Sequence, residues 1–438
     1  MRVCVLGLGY IGLPTALLLA DAGHEVIGVD VNKSLIEKLN MNVVSIEEPM
    51  MLNLFRRASE RFHAQLEVPL ADAFFICVPT PIDGELRVAD LTCVKNAAAM
   101  IAPQLREGNL VIVESTVPPG TTGNLVIPIL KKSGLESDQF FVAYCSERAL
   151  PGNVIHEMVH NDRIVGGKDL GSATKAMLLY SSFVKGTIHL TNMNTAEFTK
   201  VMENTFRDVN IALINEMAKI AEDNNIDIWE ARELANKHPR VNYVKPGPGV
   251  GGHCIAVDPW FLTNNPNNCQ LIKASRDVND NMPNIVLNMV KSIVKDVEHP
   301  IITVLGVAYK GNISDARETP AMKFIRLALN EGYVIRVHDP LVKRFDYPLE
   351  ELKDATFESD CVVLLTDHEV FRAINPQQLR VRNKFLLDTR NFLDHEAWKK
   401  SGFDVKVLGR PEMIKGIPSI EETVEPKIKG TLEQRISI

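Results

Sequence analysis

Residues 2–6 read RVCVL, and Gly7-Leu8-Gly9-Tyr10-Ile11-Gly12 follows at once. A short apolar run ending in glycine suits a buried parallel strand. Residues 11–22 then show helical periodicity, and residues 25–30 (EVIGVD) form a second strand ending in Asp30. Strand, glycine-rich turn, helix and strand make a βαβ unit. In that context G-x-G-x-x-G has a physical meaning. Gly7 allows the tight turn, Gly9 lets a diphosphate approach the backbone, and Gly12 lets the helix pack on the sheet. The helix N-terminus entered through Tyr10 and Ile11 holds the anion. Asp30, about 20 residues on, accepts from the ribose hydroxyls of a dinucleotide. A carboxylate there repels a 2′-phosphate, so NAD is expected rather than NADP.

The same texture continues outward. Residues 73–78 (AFFICV), 110–114 (LVIVE) and 140–143 (FFVA) read as further strands, with helix between them, for example around 91–105. Alternating elements with apolar strands predict a doubly wound parallel sheet running to about residue 190. Two loops follow strands, Val78-Pro79-Thr80-Pro81 and Ser115-Thr116-Val117-Pro118-Pro119-Gly120. Ligands in such sheets bind beyond the carboxyl ends of strands, which places Thr80 and Thr116 at the cofactor or substrate. From position alone, two proline-stiffened turns explain these loops equally well.

Residues 195–224 contain no Gly or Pro, and Phe198, Met202, Phe206, Val209, Leu213, Met217 and Ile220 repeat at helical spacing. A long helix of about 45 Å is expected, with further helix at 229–236 and 270–296, the latter interrupted near Pro283. The apolar surface of the long helix, including Ile211, Ile214 and Met217, exceeds one core face and is expected to form a homodimer interface. Strand patterns resume at 301–306, 333–338, 361–366 and 385–388, with helix over 321–330. The expected architecture is α/β: two doubly wound Rossmann-like domains (1–190 and 299–420) joined by a central long-helix domain (191–298). Residues 421–438 read as a mobile tail.

Composition narrows the function classes. The chain has 438 residues, 45% hydrophobic and 24% charged, with a net charge of −7. That is an ordinary globular composition with no global attraction to nucleic acid or anionic membrane. No apolar run is long enough for a membrane span. Seven widely spaced cysteines without a CxxC pair argue for reduced thiols in a cytoplasm and against zinc. Six of them read as small core residues, including Cys93.

Cys254 is the exception. It follows Pro246-Gly247-Pro248-Gly249-Val250-Gly251-Gly252-His253. Four glycines and two prolines make a fixed loop with exposed N–H groups, suited to an oxyanion or phosphate. A cysteine after it, near a helix N-terminus, is expected to have a lowered pKa. Asp258, four residues on, shares its face if helix continues past Pro259. On the long helix Lys200, Asn204 and Arg207 share another face, away from the main apolar stripe. A part-buried Lys beside an amide stabilises an alkoxide or moves protons.

With these residues in place, nearly the whole chain, to about residue 415, resembles the UDP-glucose/GDP-mannose dehydrogenase family. Within that family it is most similar to the UDP-N-acetyl-D-mannosamine dehydrogenases. The matching stretches are 143–152 (AYCSERALPG), 202–210 (MENTFRDVN), 238–242 (HPRVN) and 249–260 (GVGGHCIAVDPW). Ser146 stands where the family commonly has proline. The resemblance implies a four-electron oxidation of a sugar C6 hydroxyl to the acid with two NAD+, for surface polysaccharide precursors. It implies that Cys254 forms a thiohemiacetal and then a thioester. It further implies that Lys200 and Asn204 stabilise an oxyanion, that Asp258 and Glu147 serve proton transfer, and that Thr116 orients water. Arg317 would reach the cofactor. Lys310, Arg148, Leu150, Arg207 and Gly251 would reach the UDP-N-acetylhexosamine, with His238 and Arg240, from the neighbouring subunit if the family arrangement holds. Competing expectations are a UDP-N-acetylglucosamine or UDP-glucose 6-dehydrogenase, a two-electron hydroxyacid-type dehydrogenase, and a non-catalytic NAD sensor.

Overall fold

The computed structural model describes residues 1–411 except 45, 47, 84–86, 264 and 265. The expected tail lies outside the described residues. The first strands are β1 (Arg2–Leu6), β2 (Glu25–Val29), β3 (Phe62–Gln65), β4 (Ala73–Ile76), β5 (Leu110–Val113), β6 (Phe141–Tyr144), β7 (Arg163–Gly167) and β8 (Ile188–Asn192). They form one sheet in the order β3-β2-β1-β4-β5-β6-β7-β8. The sheet is parallel from β3 to β6, and β7 then pairs antiparallel with β6. The expected all-parallel sheet is thus extended by a reversed pair. Strand order turns between β1 and β4, which opens a crevice beyond their carboxyl ends.

The second sheet holds β9 (Ile301–Leu305), β10 (Val334–His338), β11 (Cys361–Leu364), β12 (Phe385–Asp388) and β13 (Asp404–Val407). Its order is β10-β9-β11-β12-β13 and every pair is parallel. Both sheets are covered by helices, so their central strands are buried on two faces. That is why they read as continuous apolar runs.

Between the sheets runs the long helix Met193–Asp223, capped by Asn192, whose side chain accepts from Thr195 N–H. Its burial is inverted relative to an ordinary core helix. Glu197, Asn204, Asp208 and Asn215 are buried, while Phe198, Met202, Phe206, Leu213 and Ile220 are exposed. Ile214 is buried within the chain, so it does not belong to the outward apolar surface expected of it.

The helix Gln270–Ile293 packs along the long helix and runs through Pro283 without interruption. Pro283 has no N–H to offer the carbonyl of Asn279. That carbonyl faces the glycine-rich loop instead: a Cβ on Gly249 would lie 3.0 Å from it. A buried polar chain links the same elements. Arg276 donates to Asp208 at 2.6 Å, Asn279 to Asp208 at 2.8 Å and Asn215 to Asn279 at 3.0 Å. Gly247 N–H then donates to Asn215 at 2.9 Å. The two helices therefore fix where the loop before Cys254 begins.

Candidate active site

The dinucleotide end is built from backbone. Gly7 has φ +91°, and a Cβ there would lie 2.5 Å from the carbonyl oxygen of Cys77. A Cβ on Gly12 would collide with the carbonyl of Gly7. A Cβ on Gly9 would meet nothing within 4 Å. Open space over Gly9 and a helix Gly12–Asp21 with no side-chain cap at Ile11 fit a diphosphate. Asp30 accepts from Leu8 N–H and from Asn32 N–H, each at 2.9 Å. One bond per oxygen leaves lone pairs for ribose hydroxyls. Beyond β4 and β5 the two loops are tied together: Thr80 Oγ1 donates to the Thr116 carbonyl at 2.7 Å, and Ser115 Oγ to the Val78 carbonyl at 2.7 Å.

The loop at 246–252 is held from both sides. Gly252 has φ +81°, its N–H donates to the Arg317 carbonyl at 3.0 Å, and a Cβ there would lie 3.0 Å from the Tyr309 ring. A Cβ on Gly251 would lie 2.9 Å from Tyr309 Cβ. Cys254 then opens a turn whose carbonyl accepts from Val257 N–H and Asp258 N–H, at 3.0 and 2.8 Å. A 3-10 turn, Asp258–Leu262, follows. Cys254 therefore does not sit at the N-terminus of a regular helix, and the expected continuation past Pro259 is a tighter turn. The i to i+4 step still brings Asp258 beside Cys254.

Asn204 Nδ2 donates to Asp258 Oδ2 at 2.6 Å, and both groups are buried. Burial pushes the Asp258 carboxyl up to about 6, against the pull of Lys200 and the Asn204 bond. Burial and the Asp258 charge push the Cys254 thiol up to about 11, while Lys200, Arg317 and Arg207 draw it down. The expected lowered pKa is corrected here. Two of the loop's N–H groups, those of Gly252 and Gly247, are spent on the Arg317 carbonyl and on Asn215, and the thiol is part-buried, which favours its neutral form. His253, beside Cys254, was not singled out from the sequence. Burial, with Arg317 and Lys200, holds its imidazole down to about 4, and its buried Nδ1 has no partner.

Arg317 is half-exposed and bidentate on Asp315 at 2.9 and 2.6 Å. It stands with the cysteine loop, through Gly252. Lys310 is exposed in the loop after β9. Arg207 is exposed on the long helix. His238 and Arg240 are exposed, and Arg240 N–H donates to His238 Nδ1 at 3.3 Å. Among the described residues, no hydrogen bond or ion pair joins either to Cys254, Asn204 or Asp258. A cleft of about 290 Å³ beyond the carboxyl ends of β9 and β11 is lined by Pro248, Gly249, Tyr309, Thr366, Asp367 and Arg390.

A second cleft of about 190 Å³ is lined by Ser146, Arg148, Ile164, Ala196, Lys200 and Glu203. Arg148 is paired with Glu203 at 2.6 Å. Leu150 is exposed, and its N–H donates to Glu157 at 2.8 Å. The Glu147 carboxylate turns inward, accepting from Arg163 at 2.5 Å and from Arg148 N–H at 2.6 Å. In this structure its bonds do not reach the Cys254 cluster.

Three family models match the chain in order. The NAD binding domain of the UDP-glucose/GDP-mannose dehydrogenase family covers residues 1–184, its central domain 194–281 and its UDP binding domain 303–395. The chain belongs to the UDP-glucose/GDP-mannose dehydrogenase family. It is 46% identical over 421 residues to the UDP-N-acetyl-D-mannosamine dehydrogenase of Methanococcus maripaludis, covering 93% of this chain and 97% of that one. It is 42% identical to the NDP-N-acetyl-D-galactosaminuronic acid dehydrogenase of Ralstonia solanacearum, covering 89% and 95%. The structure of UDP-D-ManNAc dehydrogenase from Pyrococcus horikoshii aligns with a TM-score of 0.88 at 39% identity, covering 94% and 99%. The family member described here is an NAD-dependent nucleotide-sugar dehydrogenase. The open cradle at Gly9 and the fixed Asp30 fit that cofactor, and the crevice beyond β9 and β11 is lined mostly by the segment matched by the UDP binding domain, with Pro248 and Gly249 from the central one.

Proposed function

We propose that this chain is a UDP-N-acetyl-D-mannosamine 6-dehydrogenase that oxidises C6 to the carboxylate through a covalent bond to Cys254. The observation that carries the reading is the buried pair Asn204–Asp258 beside Cys254, with the half-buried Lys200 acting on both Asp258 and Cys254. The names of the relatives above support the choice of sugar. The turn at Gly7, Gly9 and Gly12, with Asp30, would hold NAD+, which would supply the hydride acceptor for both oxidations.

The chain's residues do the rest. Lys200 and Asn204 hold the C6 oxygen as it gains negative charge, in a site with little water. Asp258, held near 6, accepts the proton of the Cys254 thiol as sulfur bonds to the aldehyde carbon, and that proton passes on to the C6 oxygen. The product is a thiohemiacetal, whose carbon again carries a hydride to give up, leaving a thioester. Water then adds to the thioester carbon, the C–S bond breaks, and the thiol takes up a proton. Glu147 activates that water and Thr116 orients it. Arg317 and Thr80 belong to the cofactor side. Lys310, Arg148, Leu150, Arg207 and Gly251, with His238 and Arg240, belong to the sugar-nucleotide side.

The enzyme works as a homodimer or higher homo-oligomer, because the long helix turns Phe198, Met202, Phe206 and Leu213 outward. Its place is the cytoplasm, where NAD and sugar nucleotides are held, and its working divisions are 1–190, 191–298 and 299–420. Among the described residues no helix is long and apolar enough to cross a membrane. A panel of UDP-hexoses followed at the NADH absorbance tests the reading. UDP-N-acetylmannosamine should give the highest kcat/KM and two NADH per sugar. A preference for its C2 epimer or for UDP-glucose would reassign the sugar. One NADH per sugar would remove the covalent mechanism.

A further inference from the structure

The second sheet repeats the entry to the first. Gly306 follows β9 as Gly7 follows β1, with φ +83° against +91°. Gly306 N–H donates to the His338 carbonyl at 2.9 Å, as Gly7 N–H does to the Val29 carbonyl at 2.8 Å. Asp339 then follows β10 as Asp30 follows β2. Asp339 accepts from Val307 N–H at 2.7 Å and Leu341 N–H at 2.9 Å, the counterparts of the two bonds from Leu8 and Asn32 to Asp30. The two carboxylates differ in what else they hold. Asp339 accepts three further bonds, from Ala308 N–H at 3.2 Å, Val342 N–H at 2.9 Å and His368 Nε2 at 3.1 Å. Five bonds exhaust its lone pairs, and the side chains of Asp339 and His368 are both fully buried. His368 fills the place that Asp30 leaves open for a ribose.

The other edge of the His368 ring faces the loop that carries Lys310. Asn312 N–H donates to His368 Nδ1 at 2.9 Å. A backbone N–H only donates, so Nδ1 is the ring's acceptor and Nε2 carries the hydrogen given to Asp339. Two more bonds stitch the same loops together. Thr366 Oγ1 donates to the Ala308 carbonyl at 2.6 Å, and Glu369 N–H to Asn312 Oδ1 at 2.8 Å. Between them a Cβ on Gly311 would collide with the Asp367 carbonyl. The front of this assembly is open. Ala308, Tyr309, Thr366 and Asp367 line the cleft of about 290 Å³, and Tyr309 also backs Gly251 and Gly252 just before Cys254. His368 stands behind them.

We propose that His368 is a positioning residue for the sugar nucleotide: anchored on Asp339, it pins the Lys310 loop through Asn312 N–H in the form that receives the uridine diphosphate. The inference rests on the reading of Lys310 and this cleft as the sugar-nucleotide side. A loop already held spares the ligand the cost of ordering it. A variant that holds the loop in only about one molecule in ten would bind UDP about tenfold more weakly.

Calorimetric titration of the full-length enzyme with UDP, and separately with NAD+, tests this. His368→Gln keeps an amide nitrogen near the place of Nε2 for Asp339 and removes the acceptor that Asn312 N–H needs. It should weaken UDP by about tenfold and leave NAD+ within about twofold, because the dinucleotide turn belongs to the other sheet. His368→Asn puts its amide oxygen near the place of Nδ1 and should keep UDP within about threefold of the parent. In turnover, KM for the UDP-sugar should rise in His368→Gln with KM for NAD+ unchanged. An unmoved UDP affinity in His368→Gln would overturn the proposal. So would equal losses for UDP and NAD+, the mark of general loosening, or equal UDP losses in the two variants. If neither variant folds, Asn312→Gly decides the matter. Asn312 is exposed and its φ of +62° suits glycine, so the change removes the bond from Glu369 N–H without burying anything new. It should weaken UDP severalfold, and an unchanged affinity would again overturn the proposal. Lys310→Met separates the proposal from the reading beneath it. If that variant binds UDP like the parent, the loop is not on the sugar-nucleotide side and the proposal falls with the reading. If it weakens UDP while His368→Gln does not, the proposal alone fails.

Discussion

The Asn204 carboxamide donates to the Asp258 carboxylate across 2.6 Å, between the long helix and the 3-10 turn that follows Cys254. The bond joins two segments 54 residues apart and orients the one buried carboxylate the Cys254 thiol faces. Burial, not the bond, dominates its ionisation. The unfolded chain has the ordinary value of 3.8 and the folded chain about 6.

A pH dependence of stability follows. Between those two values the unfolded state has lost a proton that the folded state keeps. Stability should therefore fall as pH rises from about 4 to about 6, and the cost stays in place above. Two units correspond to roughly 3 kcal/mol. Asp258→Asn removes the charge and should raise stability at pH 7.5, by on the order of 1–3 kcal/mol, while abolishing uronic acid formation. Denaturant melts of both proteins at pH 5 and 7.5 check this. A variant less stable than the parent at pH 7.5 would contradict it.

Thiol reactivity gives a second test. A thiol near 11 is thiolate in only about one molecule in 3,000 at pH 7.5. Cys93 is exposed rather than part of the core, so iodoacetamide should label it well before Cys254. Labelling of Cys254 should accelerate above pH 9, and should be faster in Asp258→Asn, which removes a like charge. Peptide mass spectrometry over time reads both rates. Faster labelling of Cys254 than of Cys93 at pH 7.5 would refute the part-buried, neutral thiol.

What the sequence disclosed, and what it hid, has physical causes. The β1–turn–β2 unit and the long helix were legible because burial on two faces and an unbroken helical period leave plain patterns. β7 was not, because Arg163-Ile164-Val165-Gly166-Gly167 carries a charge and two glycines that argue against a strand. The fold needs them there: a Cβ on Gly166 or on Gly167 would lie 2.7 Å from the Cβ of Ala196 or Ala173. Pro283 looked like a break because the carbonyl it frees is accommodated by a loop far away in sequence. Among site residues, spacing suggested Asp258 beside Cys254, but the bond between Asn204 and Asp258 was not legible, since 54 residues separate them. The inward turn of Glu147 was hidden, since its partner Arg163 lies 16 residues on in a strand of unexpected polarity.

Cofactor choice depends on Asp30. Asp30→Ala loses a charge-assisted bond to the ribose and should weaken NAD+ by roughly 1–3 kcal/mol. It should also raise relative use of NADP+. Fluorescence titration with each cofactor measures the two affinities. Equal use of both by the unmutated enzyme would defeat the role given to Asp30.

The outward stripe of the long helix fixes the expectation for assembly. Phe206 is 69% exposed in the single chain, a large apolar group for a free surface. Phe206→Glu places a charge at the centre of the stripe and should shift the mass toward the monomer in light scattering at micromolar concentration. An unmutated protein that is monomeric under those conditions would remove the interface.

The most direct measurement concerns the bond between sulfur and sugar. Cys254→Ser is nearly isosteric, but its hydroxyl is a far weaker nucleophile at neutral pH and its ester hydrolyses more slowly than a thioester. The variant should bind UDP-N-acetylmannosamine and NAD+ and pass at most slowly through the first oxidation. Mass spectrometry after incubation with both should then show trapped aldehyde or a covalent sugar adduct, without free uronic acid. Normal turnover by Cys254→Ser, with two NADH per sugar, would contradict the covalent mechanism outright.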